Sequence, residues 1–547
     1  MSNTYLALTI GPIYKTLSQA HRTREVWGSS YLFSWLMREI IVKLITAKTV
    51  KAGDILMPHR DKHDNLKKGT GLYHDRMIVK IEPEKKDQAL KDFKESADTV
   101  LSVIVSKTDV SLDVLKSYFR LNVVLFDLED DKNIVETVTN YLDSLELQNP
   151  IFHNSWQIDW SDAIDKLNGK VFYKDAFAAG GDFGFVFDSI PEIASQGLSI
   201  IKPELYKKLV KIHIKDKFLK ETKLSKKSEF ESHDEFIQEL SKPDAFKADF
   251  RNYHKYIAIV HADGDNLGET IREIGHNAVS VGILSEALFS FASKATDEIR
   301  NYGGTNVYAG GDDLLFFAPV AVAKAEIPTI FHLIDTLDEL FKKEVSEKPK
   351  LTTILAEPKP TLSWGVSISY YKFPLSEAIV SSRELLFNEA KEFDGKNAVA
   401  FKFIKHSGQT FGTTFGKNKD DYKVHFKNLL KQAFNPDIEF ISSLQYRISE
   451  NMVLLTELFS LDNYEEKIEN FFDNFFDEEI HSSKKGFVHA VRDMLVQSFM
   501  DIGLPKDYST LKDEEKEKAH TKRVKTAVEK TYAALRFIHF LNSKSDE

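Results

Sequence analysis

Three acids, Asp263, Asp312 and Asp313, have the spacing that could do chemistry in this chain. Asp263 closes an apolar run, Tyr256-Ile-Ala-Ile-Val-His-Ala, and opens Asp-Gly-Asp-Asn-Leu-Gly268. Asp312 and Asp313 end the tetrapeptide Gly310-Gly311-Asp312-Asp313, between Asn306-Val-Tyr-Ala and Leu314-Leu-Phe-Phe-Ala. The flanking runs read as strands, so these two acids sit in a hairpin turn. Carboxylates gathered in one place repel one another, and a divalent cation relieves the repulsion. All-oxygen donors favour Mg²⁺ or Mn²⁺, with substrate phosphates as further ligands. Two such ions can activate a hydroxyl and stabilise a departing pyrophosphate. Gly310 and Gly311 let the turn approach a phosphate without a Cβ in the way. The amides of Gly264, Asp265, Asn266 and Leu267 are expected to cradle a triphosphate. Ser363 is expected to face the base, and Lys391, late in a helix beside the site, to reach a phosphate.

Gly-Gly-Asp-Asp alone is compatible with an ordinary hairpin turn. The second acidic strand end, Asp263-Gly-Asp265, and the apolar strands on both sides of the turn favour a site. Gly180-Gly181-Asp182 looks similar but lacks a second acid and a preceding strand, and reads as a structural turn. His63-Asp64 and His74-Asp75 suggest a metal-dependent HD hydrolase only superficially, because one lies in a charged loop and the other just before a strand. His59 and His63, four apart, also read as loop.

The elements that must position these acids follow from periodicity. A strand at 256–261, an amphipathic helix at 281–302, strands at 306–309 and 314–318, a helix at 325–346 and an alternating strand at 361–370 give the order β-α-β-β-α-β. A further helix follows Pro374, capped by Ser376 with Glu377 in its first turn. This ferredoxin-like order makes the first and third strands central neighbours, so residues fifty apart converge at one sheet end. The N-terminal part has a strand at 4–10, a helix at 18–48, a loop at 50–75, a strand at 76–81, a helix at 86–106 and a strand at 121–128. It reads as a second small α+β sandwich. Residues 205–250, with eleven lysines, read as solvated helix or linker, and the chain beyond 405 reads as helical. The expected fold is α+β, with units at 1–130, 131–250, 251–405 and 406–547.

Composition narrows the function. There are 547 residues and no cysteine, which excludes disulfides, a cysteine nucleophile, iron–sulfur clusters and cysteine-ligated zinc. The net charge of −10 argues against a general polyanion binder, so nucleic-acid contact is expected to be local or shared with partners. The N-terminus lacks a basic, apolar leader pattern, and the stretch Leu32–Ala47 is interrupted by Arg38, Glu39 and Lys43. A soluble cytoplasmic protein without membrane contact is expected.

Residues 256–268, then Tyr308-Ala-Gly-Gly-Asp-Asp-Leu-Leu315, then Leu362-Ser-Trp-Gly-Val-Ser-Ile-Ser369 with Pro374-Leu375 and Ala390-Lys391, resemble the palm of the large polymerase-like subunit of type III CRISPR effector complexes. The B-type branch fits best. Arg24-Glu-Val-Trp-Gly-Ser-Ser-Tyr-Leu-Phe-Ser-Trp-Leu36 resembles its first palm, and Phe187-Asp-Ser-Ile-Pro-Glu-Ile-Ala194 its middle domain. The resemblance implies two palm domains, a middle domain and a C-terminal helical domain. It implies partner subunits, a guide RNA, and target RNA that triggers synthesis of an adenylate second messenger from ATP. The product would be a cyclic oligoadenylate, or a conjugate with S-adenosylmethionine as acceptor. Asp263, Asp312 and Asp313 would be the catalytic metal carboxylates, and Gly310 and Gly311 would shape the nucleotide turn. Thr9-Ile10-Gly11 and Tyr73-His-Asp-Arg76 stand where the first palm would carry its own acids, so that palm is expected to be degenerate and to help hold a second nucleotide. The chain starts at the first palm, so no HD nuclease is expected, and Tyr173-Lys-Asp-Ala-Phe-Ala-Ala stands where many relatives place a cysteine zinc site, so no zinc is expected. Two rival readings share the residues. A diguanylate cyclase has the same palm and Gly-Gly-Asp turn, but here Asp-Leu-Leu follows instead of Glu-Phe. A non-catalytic scaffold would have no need of three converging acids.

Overall fold

The computed structural model describes residues 2–60, 69–129, 132–147, 158–176, 187–215, 226–322, 328–355, 357–417, 420–432, 438–475, 484–505 and 508–543. Gly180-Gly181-Asp182 and His63-Asp64 lie outside the described residues.

Four strands, β1 (Ser2–Gly11), β2 (Ile55–Met57), β3 (Arg76–Ile81) and β4 (Arg120–Glu129), form an antiparallel sheet in the order β2-β3-β1-β4. Strand β1 alternates between two cores, as a pleat requires. Leu6, Leu8 and Ile10 pack with Trp27 and Leu36 of the helix Thr23–Thr46 and Phe93 of the helix Lys86–Lys107. Tyr5 and Ala7 pack with Val138 and Leu142 of the helix Ile134–Glu146.

The second sheet contains β5 (Tyr256–Asp265), β6 (Thr305–Gly310), β7 (Asp313–Pro319), β8 (Thr361–Tyr370), β9 (Ala398–Ile404) and β10 (Thr410–Gly416), in the order β10-β9-β8-β5-β7-β6. Its β8-β5-β7-β6 portion repeats the order of β4-β1-β3-β2, so the chain builds the β-α-β-β-α-β unit twice. The helix Ala278–Tyr302 begins where the Asn277 side chain accepts from the amides of Val279 and Ser280, and ends at Gly303 with φ +99°. It is long and apolar enough to cross a membrane by length and composition, more so than Leu32–Ala47. Here it lies on the second sheet, burying Leu284, Ala287, Phe291, Ala295 and Ile299.

The structure departs from the sequence reading at several points. Strand β2 falls inside the stretch expected as loop, because three residues are too few to show a period. The N-terminal helix is two helices, Ile13–Leu17 and Thr23–Thr46. The helix after Pro374 runs Leu375–Glu384 with no side-chain cap, and Ser376 lies inside its first turn. Strand β8 is buried on both faces, since that helix covers the side on which Ser363, Ser367 and Ser369 point. The described parts of 205–250 are not a solvated linker: Tyr206, Phe236, Leu240, Phe246 and Phe250 form a core with Tyr371. A few well-spaced aromatics, each worth roughly 1.5–3 kcal/mol on burial, organise a stretch whose overall composition is polar. Strand β10 pairs with β9 beyond residue 405, so the sheet continues past the expected start of the helical part. From Asp420 onward the described elements are helical, ending in Asp513–Asn542.

The two units touch through the segments around their sheets. Ala309 N–H donates to the Gly71 carbonyl at 3.2 Å, and Ile134 N–H to the Gly275 carbonyl at 2.8 Å. The Asn133 side-chain amide donates to the carbonyls of Ile271 and Arg272, each at 3.0 Å.

Candidate active site

Strand register brings the acids together. Strands β5 and β7 pair as far as Ala262 with Leu314, and one step further the same register carries Asp263 alongside Asp313. Gly310 pairs with Asp313 across the β6–β7 turn, and Gly311 adopts φ +91°, a conformation glycine takes without strain. The Asp312 carboxylate and the Leu267 side chain fill the space that a Cβ on Gly264 would need. The Tyr308 ring and hydroxyl do the same at Gly310. Both glycines are therefore packing requirements.

The acids carry more negative charge than their surroundings balance. Burial, then the charge of Asp263, pushes the Asp312 carboxyl up to about 6. Burial, then Asp263, Asp312 and Asp75, pushes Asp313 well above the usual carboxylate range. The donor set is all carboxylate oxygen, which suits a hard divalent cation, and the raised acids show the charge deficit such an ion would relieve. Among the described residues no three His, Asp or Glu side chains close into a cage by themselves. Substrate phosphates would have to complete the coordination, as is usual for Mg²⁺.

Lys391 stands at the centre of this arrangement. It follows the wide helical turn Leu385–Ala390, ion-pairs with Asp263 and donates to the Gly264 carbonyl at 2.7 Å. Asp265 is fully buried, and its Oδ2 accepts from Ser363 Oγ at 2.8 Å, Thr361 Oγ1 at 3.0 Å and the Asn397 amide at 3.0 Å. Ser363 and Asp265 are thus committed to each other. The expectation that Ser363 faces a base does not fit a buried hydroxyl on a carboxylate, and Asp265 braces the strand ends instead of facing a ligand. The expected amide cradle also shrinks. Asp265 belongs to the β5–β8 ladder and the Gly264 amide is bonded to the Asp312 carboxylate, which leaves Asn266, in the left-handed region at φ 60°, and the start of the helix Leu267–Ile274.

The first sheet brings in Asp75 of the Tyr73-His-Asp-Arg76 run, which the sequence reading gave to a degenerate palm without acids of its own. Asp75 directly precedes β3 as Asp312 directly precedes β7, so it occupies the equivalent hairpin end. Recognition that the same strand order occurs twice would have exposed this. Asp75 borders a cavity of about 540 Å³ beside β1, with Thr9, Gly11, Arg120, Asp143 and Glu146. Arg76 spans Asp143 at 2.6 Å and Glu146 at 3.0 Å. Tyr308, partly buried beside the bridge to Gly71, feels Asp313, Asp75, Asp312 and Asp263, and its hydroxyl is pushed well above its ordinary range, first by desolvation. His74 is buried and held neutral, down to about 4, which fits its reading as structural.

Two palm-like units of the same strand order face each other across Asp75, Tyr308 and the acids. The family described as Cas10/Cmr2, second palm domain, matches residues 256–400, and that described as CRISPR-associated protein Cmr2, N-terminal, matches residues 5–106. Over these two stretches the chain is similar to the Cas10/Cmr2 large subunits of type III complexes. The CRISPR system Cmr subunit Cmr2 of Pyrococcus furiosus is 29% identical over 191 residues, which make up 30% of this chain and 20% of that relative. A Csm1–Csm4 cassette in complex with cA4 is similar in fold, with TM-score 0.51 and 9% identity over 99% of this chain and 70% of that one. A Type III-B Cmr-beta bound to cognate target RNA gives TM-score 0.47 and 12% identity over 75% of this chain and 71% of that one.

Proposed function

We propose that this chain is the nucleotidyl-transferring large subunit of an RNA-guided, cytoplasmic type III complex. It joins partner subunits, guide RNA and target RNA, and makes an adenylate messenger from ATP once target RNA is paired. The observation that carries this reading is the convergence of Asp263, Asp312 and Asp313 at one sheet end, inside the stretch that matches the second palm. Bound Mg²⁺ or Mn²⁺, held by those three acids, would lower the barrier by neutralising charge on the phosphates. Asp312 and Asp313 hold the donor end, with Gly311 giving the turn its shape, and the start of the helix Leu267–Ile274 faces the phosphates. An acceptor hydroxyl attacks the α-phosphate, a new P–O bond forms, and pyrophosphate leaves.

The cavity beside β1 supports a second reading of the acceptor. Asp75, Asp143 and Glu146 outnumber the cations there, and Arg76 is already spent on two of them. A triphosphate would meet like charge, whereas a cationic acceptor such as S-adenosylmethionine would be matched. The assembled complex should be incubated with ATP and Mn²⁺, with and without complementary RNA, and with and without S-adenosylmethionine, and the products weighed by mass spectrometry. RNA-dependent adenylate products, lost in Asp312→Ala/Asp313→Ala, are expected. A dinucleotide from GTP alone would make it a guanylate cyclase, and silence with every nucleotide from an RNA-bound complex would leave a scaffold.

A further inference from the structure

Two carboxylates, the partly exposed Asp263 and the fully buried Asp265, flank one ammonium. Lys391 Nζ is ion-paired with Asp263, donates to the Gly264 carbonyl at 2.7 Å, and lies 3.5 Å from Asp265 Oδ1. The Lys391 side chain is 16% exposed and that of Asp265 0%. Asp265 Oδ2 is saturated by Thr361, Ser363 and Asn397, but its Oδ1 has no hydrogen-bond partner. A buried carboxylate oxygen with a cation at 3.5 Å but no hydrogen bond is under-satisfied, and costly unless a donor closes on it in another state. Lys391 is the cation beside it.

We propose that Lys391 is an internal counter-ion with two seats: it sits on Asp263 while no divalent ion is bound, and moves onto Asp265 Oδ1 when that ion takes Asp263. The move is short, leaves the ammonium paired throughout, and turns Asp263 from a salt-bridge partner into a ligand. The exchange makes divalent-ion binding weak by itself, since the ion must displace an ammonium. It becomes strong once a nucleotide adds phosphate ligands, and the coupling is reciprocal. The proposal deepens the functional reading above and rests on its assignment of Asp263 as a metal ligand.

The experiment measures Mn²⁺ binding to the full chain by electron paramagnetic resonance of the free ion. It is done with Mn²⁺ alone and with Mn²⁺ plus a non-hydrolysable ATP analogue. Lys391→Met should bind Mn²⁺ alone about tenfold more tightly than wild type and show a smaller gain on adding nucleotide. Asp265→Asn, isosteric and still able to accept hydrogen bonds, removes the second seat and should weaken Mn²⁺ binding in both conditions. Opposite shifts from two neighbouring substitutions are what a merely structural role would not give. Lys391→Met binding Mn²⁺ alone no tighter than wild type overturns the two-seat exchange, and so does Asp265→Asn binding as wild type. Should Lys391→Met fail to fold, Lys391→Gln, which can still donate to the Gly264 carbonyl, answers the same question. Absence of any Mn²⁺ binding by wild type with nucleotide would instead overturn the metal-site reading itself, so the two failures are distinguishable.

Discussion

The backbone N–H of Ala309 donates to the carbonyl of Gly71 at 3.2 Å, tying the strand that leads into the acidic turn to the segment that leads into β3. Gly71 and Tyr308 form a parallel bridge at the same place. Through this contact Asp75, four residues beyond Gly71, adds its charge to that of Asp313. The carboxylate cluster is therefore assembled from both halves of the chain, and any change in how the halves seat on each other changes the charge at the acids.

That cluster costs stability when no cation is bound. Asp313→Asn with Asp312→Asn removes two mutually repelling carboxylates whose protonated forms the fold favours. The double variant should lose nucleotidyl transfer by about 10³-fold, the worth of several kcal/mol of charge stabilisation. In EDTA at pH 7.5 it should nonetheless melt higher than wild type, by on the order of 1 kcal/mol. Differential scanning calorimetry of both proteins checks the gain, and an equal or lower melting point would count against an uncompensated cluster.

The size of that gain should depend on pH. Asp312 is raised to about 6 in the folded chain from an ordinary value near 3.8. Below pH 4 both folded and unfolded chains carry it protonated, and it contributes its full stabilisation. As pH rises toward 6 the unfolded chain ionises first, so that stabilisation is lost. The melting difference between double variant and wild type should be small at pH 4 and open by pH 7. Buried histidines act in the opposite direction. Burial depresses His254 and His261 to about 3 and His74 to about 4, so their stabilisation is present above pH 6.5 and is lost as pH falls toward 4. Both proteins should lose stability on that acid limb together, and a difference that stays flat from pH 4 to 7 would assign the effect elsewhere.

Much of the second sheet was legible from sequence because its signals are local. The run Tyr256–Val260 and the alternation at 361–370 each exceed the length at which a strand period shows, and Gly310-Gly311 marks its own turn. The roles of Asp265 and Ser363 were not legible. Whether a hydroxyl faces a ligand or a neighbouring carboxylate is decided by the β5–β8 register, which pairs Asp263 with Ser363 and Asp265 with Thr361. The charge that Asp75 adds to the acids was not legible for a related reason. That residue does not sit in an acidic motif, and it matters only because the first sheet repeats the strand order of the second and presents the same hairpin end. The strand Ile55–Met57, which completes that repeat, is too short to declare itself.

Gly310 tests packing separately from charge. Its missing side chain makes room for Tyr308, so Gly310→Ala should strain the turn and destabilise the chain by about 1–3 kcal/mol. Tyr308→Ala opens a cavity and should also destabilise when made alone. Combined, the two should cost less than their sum, because the ring that the new methyl meets is gone. A double-mutant cycle by urea denaturation measures the coupling, and strict additivity would mean that the ring and the glycine do not define each other.

Asp75 separates donor from acceptor. It lies on the first-sheet side of the cluster and borders the cavity with Asp143 and Glu146, away from the turn expected to hold the donor nucleotide. Asp75→Asn keeps the shape and removes one charge. With donor ATP saturating, KM for the acceptor should change several-fold, in the direction that the acceptor's own charge sets. The donor KM should hold. If S-adenosylmethionine is the acceptor, losing an anion weakens a cation's site and the KM effect is largest. If a second ATP is the acceptor, removing like charge should lower its KM instead. The sign of the change in acceptor KM, read from initial rates on the assembled complex, therefore distinguishes the two products, and no change in either direction would place the acceptor outside this cavity.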